Sequence, residues 1–101
     1  TRHALHLYTL QVDEAEVGIS RDEFLNVMTR QRIGVGVHYL SIPEHPFYSE
    51  RFGWRPDAFP NAAAIGRRTV SVPLSPRLTD DDVEDVIAAV RHACGRGQAV
   101  A

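Results

Sequence analysis

Histidine and aromatic side chains are concentrated in one stretch of the chain, residues 37–48, whose sequence is VHYLSIPEHPFY. The imidazole and phenol groups of His38, Tyr39 and His45 are suited to binding hydroxyl and phosphate oxygens without the desolvation cost of an unpaired charge. The stretch lies where a predicted strand ends and an irregular loop begins, which is where protein scaffolds usually carry functional residues. The residues alone are equally compatible with a surface loop held by aromatic packing, with His38 hydrogen-bonded to the backbone.

The other histidines and the acidic residues do not form a metal-binding pattern. The five histidines include neither a cysteine–histidine pair at zinc spacing nor a His-Glu-x-x-His helix. Asp80, Asp81 and Asp82 fall in the first turn of a predicted helix, where the helix dipole favours carboxylates. We therefore predict that these aspartates stabilise the helix and that the chain has no metal site.

Covalent catalysis has no candidate group in this sequence. All 11 basic residues are arginines, so chemistry that needs a lysine amine cannot come from this chain. Gly34 and Gly36 are not followed by the third glycine or the lysine of a phosphate-binding loop. Ser41, His38 and Glu44 are close in sequence, but closeness at a strand end does not create the geometry of a nucleophile and its base. We predict no catalytic residue in this chain.

Composition restricts the class of protein further. A length of 101 residues suits one small domain, and a hydrophobic content of 44% is typical of globular chains. The formal net charge is -2, without the clustered positive charge of a nucleic-acid-binding surface. No apolar run approaches the roughly 20 residues of a membrane span. The single cysteine, Cys94, cannot close an intrachain disulfide, so we expect a cytoplasmic protein.

Three short strands are predicted by alternating apolar and polar residues, at residues 5–12, 35–40 and 69–72. On one face of the second strand, Gly34 and Gly36 leave space in which another backbone, a helix or a ligand can approach His38. The polar residues 13–18 predict a turn between the first strand and the first helix.

The first predicted helix covers residues 21–32. Ser20 and Glu23 have the spacing of a capping box at its start, and Gly34 supplies its stop. Pro46 predicts one helical turn, and Pro60 opens a short helix at residues 61–68.

The last predicted helix begins after Thr79 and ends at Gly95 and Gly97. Its expected buried side consists of four branched apolar residues, Val83, Val86, Ile87 and Val90. Each helix has one apolar stripe to bury, so the elements predict an α+β domain with two layers, a short β-sheet covered by helices.

Seven ordered segments give the chain a resemblance to a known family, the DegT/DnrJ/StrS-type sugar aminotransferases, over roughly residues 5–90. They are RDEF at 21–24, GVGVHY at 34–39, HPFY at 45–48, FGWRP at 52–56, FPNA at 59–62, VSVPLS at 70–75 and LTDDDV at 78–83. The segments are characteristic as an ordered set rather than individually. One departure is Pro43, where many members carry a histidine, so the role of that histidine is absent or altered here.

The resemblance implies that residues 1–101 are the C-terminal small domain of an enzyme with the aspartate-aminotransferase-like fold. It implies an enzyme that uses pyridoxal 5'-phosphate and transfers an amino group from glutamate to a nucleotide-linked keto sugar. The lysine that forms the Schiff base belongs to an N-terminal domain outside this chain, so the chain alone is expected to bind no cofactor and to be inactive. The resemblance further implies a homodimer, with His38, Tyr39 and His45 on the substrate side of the cleft.

Two hypotheses of a different class remain open from the residues alone. Alternating strands and helices also suit a free-standing small-molecule-binding or regulatory module, and the same elements could form a dimerisation module.

Overall fold

A computed structural model of the protein describes residues 1–95. The helices and strands are, in chain order, β1 (Tyr8–Gln11), α1 (Glu14–Val17), α2 (Arg21–Arg30), α3 (Pro46–Phe52), α4 (Pro60–Arg68), β2 (Thr69–Val72) and α5 (Asp80–Ala93), with 3-10 turns at Ile42–Glu44 and Pro56–Ala58. This mixture of helices with a small antiparallel sheet confirms the predicted α+β class. Gly95 has a left-handed φ of 74° just after α5, and Gly97 lies outside the described residues.

The sheet of the described region has two strands rather than the three predicted. β1 and β2 pair antiparallel, with Leu10 opposite Val70. The predicted strand at residues 35–40 is wrong, because only Gly36 pairs with the sheet, through two backbone hydrogen bonds to Ser71 of 3.1 and 2.8 Å. After Gly36 the chain leaves the sheet, and the backbone of residues 39–41 packs against α4 instead.

α1 and α2 differ in detail from their predicted forms. Residues 14–17 form the one-turn helix α1 rather than a turn, because Asp13 caps its start by accepting a hydrogen bond from the Ala15 amide. Ser20 caps α2 as predicted, by accepting from the Glu23 amide at 3.1 Å. The capping box is only half formed, because the Glu23 carboxylate binds Arg30 at 3.1 Å.

The end of α2 comes two residues earlier than predicted. The helix stops at Arg30, and Arg32 rather than Gly34 has the left-handed conformation, with a φ of 63°. Such a φ is uncommon for a residue with a side chain. Gly34 is therefore not the stop of this helix.

α5 begins with a complete capping box. The Thr79 hydroxyl accepts from the Asp82 amide at 3.1 Å, and the Asp82 carboxylate accepts from the Thr79 amide at 2.9 Å. The Thr79 backbone amide, followed by its side chain, lowers the pKa of the Asp82 carboxyl below its ordinary value. Asp82 therefore stabilises the start of the helix, as predicted, and Asp80 and Asp81 lie in the same first turn.

The hydrophobic core lies where α2, α5 and the strands meet. Its buried members are Val12, Phe24, Met28, Val70, Ala89 and Ala93. The expected buried side of α5 is right only in part: Val86, Ile87 and Val90 are half-buried and Val90 packs against the core, but Val83 is 42% exposed. The fully buried residues of α5 are instead Ala89 and Ala93. Alanine allows the helix to approach the core closely. The branched residues of α5 consequently line an apolar groove of about 470 Å³ between α5 and the sheet.

Candidate functional site

His38 is held by a side chain of the neighbouring strand. Its Nδ1 atom lies 2.8 Å from the Oγ atom of Ser71, at hydrogen-bond distance. Ser71 belongs to β2 and is buried, whereas His38 is exposed. The anchor of His38 is therefore a serine hydroxyl rather than the backbone group expected of a packed surface loop.

The space left by Gly36 is filled by the imidazole of His38 itself. A Cβ atom on Gly36 would lie 3.1 Å from the Cε1 atom of His38, closer than ordinary van der Waals contact. Nothing lies within 4 Å of the corresponding position on Gly34. The predicted opening beside His38 exists at Gly36, but its occupant is the histidine ring two residues further along the chain.

Tyr39 packs edge-to-face against His38. Their ring centroids are 4.8 Å apart, and the ring planes meet at 83°. Tyr39 is 71% exposed, so most of its phenol ring is open to a ligand or to another protein surface. The structure thus brings two of the three predicted site residues together, with hydrogen-bonding groups at the surface.

His45 belongs to a separate group of side chains. It is the residue immediately before α3 and makes no side-chain capping hydrogen bond there. Its ring centroid lies 6.5 Å from that of Tyr48 in an edge-on arrangement. Within residues 1–95, no ring contact joins His45 to His38 or Tyr39. The predicted site therefore divides into a His38–Tyr39 pair and a separate His45 at the end of a short loop.

An exposed aromatic cluster follows His45. It consists of Phe47, Tyr48, Phe52, Trp54 and Phe59. Trp54 stacks on both Phe52, at 4.7 Å, and Tyr48, at 6.2 Å. The members are between 37% and 65% exposed. Contiguous exposed apolar surface of this kind is characteristic of interaction sites.

The loop that joins Tyr39 to His45 is fixed to α4. Glu44 accepts hydrogen bonds from the Ser41 hydroxyl at 3.2 Å and from Arg67 of α4 at 2.9 Å. The Glu44–Arg67 ion pair is partly shielded, because the Glu44 side chain is only 17% exposed. Gly66, one residue earlier on α4, faces the loop backbone so closely that a Cβ atom would lie 2.8 Å from the Ser41 nitrogen.

Arg21 at the start of α2 binds the C-terminal end of α4. Its Nη1 atom donates to the carbonyl oxygens of Gly66, at 2.9 Å, and Thr69, at 3.0 Å. The Arg21 side chain is only 11% exposed, and its Nε atom also donates to Asp22 at 2.8 Å. A cation at the C-terminal end of a helix is favoured by the helix dipole. Arg21 therefore connects α2 to the helix that supports the site loop.

Residues 1–95 contain no group of three or more histidine, cysteine, aspartate or glutamate side chains placed to hold a metal ion. Among the helices of this described region, none has the length and apolar character needed to cross a membrane.

Comparison with known proteins assigns the chain to a family. A sequence profile of the DegT/DnrJ/EryC1/StrS aminotransferase family matches residues 1–91. The chain belongs to this family.

Two curated relatives align with almost all of this aminotransferase-family chain. The spore coat polysaccharide biosynthesis protein SpsC of Bacillus subtilis is 47% identical over 91 residues, which are 89% of this chain and 23% of SpsC. The uncharacterized protein MJ1066 of Methanocaldococcus jannaschii is 41% identical over 90 residues, again 89% of this chain and 23% of the relative. The chain thus spans about a quarter of the length of the curated relatives that it matches.

Solved structures share the fold. Spr1654 of Streptococcus pneumoniae, assigned as a sugar aminotransferase, superimposes in its apo form with a TM-score of 0.79 at 23% identity, over 94% of this chain and 23% of Spr1654. Its PLP form gives the same TM-score at 24% identity, over 90% of this chain and 23% of Spr1654.

In this member of the aminotransferase family, the residues that hold the site could not be predicted from the sequence. Ser71 is separated from His38 by 33 residues, and Arg67 from Glu44 by 23 residues, so neither contact has a local pattern. The aromatic cluster, in contrast, has a pattern that is visible in the sequence. Tyr48 and Phe52 follow Pro46 and are four residues apart, a spacing that places both rings on one face of a helix.

Proposed function

We propose that this chain is the C-terminal small domain of a pyridoxal-phosphate-dependent aminotransferase that transfers an amino group from glutamate to a nucleotide-linked keto sugar. The observation that carries the proposal is the family match over residues 1–91, in a chain that spans 23% of the length of its curated relatives. The α+β fold supports it, because Spr1654 shares that fold over a similar fraction of its own length.

The residues of this chain cannot form the covalent attachment of a pyridoxal phosphate cofactor. Pyridoxal phosphate is attached to an aminotransferase through a lysine amine, and this chain has 11 arginines and no lysine. We therefore assign the lysine to polypeptide outside these residues and derive no step through the cofactor. The PLP form of Spr1654 supports the choice of cofactor for the intact enzyme.

The proposed contribution of this chain is one wall of the substrate cleft. The exposed His38–Tyr39 pair offers an imidazole and a phenol, which donate to and accept from sugar hydroxyls and bind phosphate oxygens. Neutral groups of this kind can be buried under a bound substrate at a lower desolvation cost than a charge. His45 contributes from the start of α3, on the side of the aromatic cluster.

The remaining parts of the proposal concern assembly and location. The exposed aromatic cluster supports a homodimer, or a contact with the larger domain, because apolar surface of this kind is normally covered by protein. We place the enzyme in the cytoplasm.

The test is an assay of the intact enzyme that contains this chain. With glutamate as donor, we expect amino transfer to nucleotide-linked keto sugars and the yellow absorbance of a lysine-bound pyridoxal cofactor. The matched control is the 101-residue chain alone, which should give neither. An intact protein that binds no pyridoxal phosphate, or that transfers amino groups only to free keto acids, would overturn the proposal.

A further inference from the structure

Ser71 and His38 form an isolated polar contact next to the proposed substrate wall. The Ser71 Oγ atom lies 2.8 Å from His38 Nδ1 and is the one side-chain partner of that nitrogen in the region the structure describes. Ser71 is 6% exposed, and no buried side-chain nitrogen or oxygen in this region lacks a hydrogen-bond partner. The buried Ser71 hydroxyl is thus satisfied by a histidine at the surface, which couples the orientation of that ring to the strand β2.

Gly36 supplies the second constraint on the same ring. The Gly36 and Ser71 backbones exchange two hydrogen bonds, of 3.1 and 2.8 Å, so their separation is fixed by the sheet. The His38 ring packs against Gly36 at the place where a Cβ atom would be 3.1 Å from Cε1. The ring is therefore held on one side by contact with a glycine and at one nitrogen by a hydroxyl.

The chemistry of the Ser71 hydroxyl suits it to orient the His38 ring. A serine hydroxyl both donates and accepts, so it binds Nδ1 whether or not that nitrogen carries a hydrogen. It adds no charge beside the ring, unlike the carboxylate that often orients a histidine. With Nδ1 engaged, the nitrogen left to interact with a ligand is Nε2, which forms no hydrogen bond within residues 1–95.

We propose that Ser71 and Gly36 are positioning residues that fix the His38 imidazole so that Nε2 binds a hydroxyl or phosphate oxygen of the acceptor sugar nucleotide. The proposal rests on the function proposed above for the His38–Tyr39 pair. It adds a requirement that the family assignment does not contain: the hydroxyl at position 71 is needed for acceptor binding and acts only through His38.

The test uses the intact enzyme and two independent variants. Ser71→Ala removes the hydroxyl, and we expect the KM for the sugar nucleotide to rise about three- to tenfold, as for the loss of one hydrogen bond. Ser71→Thr keeps a hydroxyl, so its KM for the sugar nucleotide should stay within about twofold of the wild-type value. Gly36→Ala should also raise the KM for the sugar nucleotide, because the new methyl group displaces the His38 ring.

Two controls separate orientation from general damage. Thr69→Ala removes another buried side chain from β2, two residues from Ser71, and should leave KM unchanged. Gly34→Ala adds a methyl group where no atom lies within 4 Å and should also leave KM unchanged. Equal KM changes in Ser71→Ala and Thr69→Ala would overturn the proposal.

A readout independent of activity decides whether Ser71 orients the ring. In ¹⁵N-histidine-labelled intact enzyme, the His38 ring resonances, identified by their loss in His38→Ala, should shift in Ser71→Ala and not in Thr69→Ala. In the His38→Ala background, Ser71→Ala should change KM no further. An unshifted His38 spectrum, or an effect of Ser71→Ala that persists without His38, would overturn the proposal. If His38→Ala leaves KM unchanged, the substrate role of His38 fails, and the ring spectrum still shows whether Ser71 orients it.

Discussion

Gly66 of α4 faces Ser41 so closely that a Cβ atom on Gly66 would lie 2.8 Å from the Ser41 backbone nitrogen. The same atom would lie 3.2 Å from the Tyr39 carbonyl oxygen. This contact between a helix and the loop after the His38–Tyr39 pair sets the position of the proposed substrate wall. The absence of a side chain at Gly66 is what permits it.

Replacing Gly66 by alanine should therefore destabilise the protein although alanine favours helices. The helix propensity gains about 1 kcal/mol, whereas overpacking against backbone costs about 1 to 3 kcal/mol. Because three backbone atoms of the loop lie within 3.3 Å of the new methyl group, the overpacking cost exceeds the gain in propensity, and we expect a net loss of about 1 to 2 kcal/mol in the free energy of unfolding. Urea unfolding, followed by fluorescence of the single tryptophan, measures it. Gly34→Ala is the matched control, and equal stability of the two variants would contradict this account.

Arg21 should make a larger contribution to stability than its position at a helix start indicates. Arg21→Ala leaves the Gly66 and Thr69 carbonyl oxygens without their cationic donor, and we expect a loss of about 2 to 3 kcal/mol in the free energy of unfolding. Arg30→Ala on the same helix is the control. It breaks an exposed pair with Glu23, which typically contributes less than about 1 kcal/mol. A loss in Arg21→Ala no larger than in Arg30→Ala would refute the structural role of Arg21.

The local parts of the fold could be predicted from the sequence because their causes lie within a few residues. Ser20 and Thr79 cap their helices through side-chain hydrogen bonds to amides three residues later, and that spacing is visible in the sequence. Pro46 and Pro60 likewise open helices at the positions their fixed φ favours.

The wrong predictions have causes distant in the chain. Residues 35–40 alternate as a strand does, but the close approach to Gly66, some 25 residues later, draws the backbone away from the sheet after Gly36. In α5, the valines have the expected periodicity, yet Ala89 and Ala93 are buried because a close helix approach favours small residues. The residues of the candidate site divide in the same way between those that the local sequence indicates and those that only the folded structure brings near. His38 and Tyr39 could be selected by type, whereas Ser71 could not.

The capping box of α5 should make stability depend on pH at the acid end. Thr79 lowers the pKa of Asp82, so the folded state favours the ionised carboxylate. The resulting stability is fully present above the unfolded-state pKa of about 3.9 and is lost as pH falls through the lower folded-state pKa. The stability difference between wild type and Asp82→Ala should therefore be constant near neutral pH and shrink below about pH 4. Asp81→Ala, in the same turn without a bond to Thr79, is the control, and a difference independent of acid would contradict the assignment.

The substrate role of the His38–Tyr39 pair is tested by kinetics in the intact enzyme. His38→Ala and Tyr39→Phe each remove one hydrogen-bonding group from the proposed wall. Each should raise the KM for the sugar nucleotide by about three- to tenfold, in line with one hydrogen bond. The KM for glutamate and the cofactor absorbance should remain unchanged, because the cofactor is assigned to residues outside this chain. His92→Ala, on the exposed side of α5, is the matched histidine control. If His38→Ala and Tyr39→Phe both behave like His92→Ala, the loop after Gly36 does not contact the acceptor, and the exposed aromatic cluster around Trp54 becomes the next surface to test.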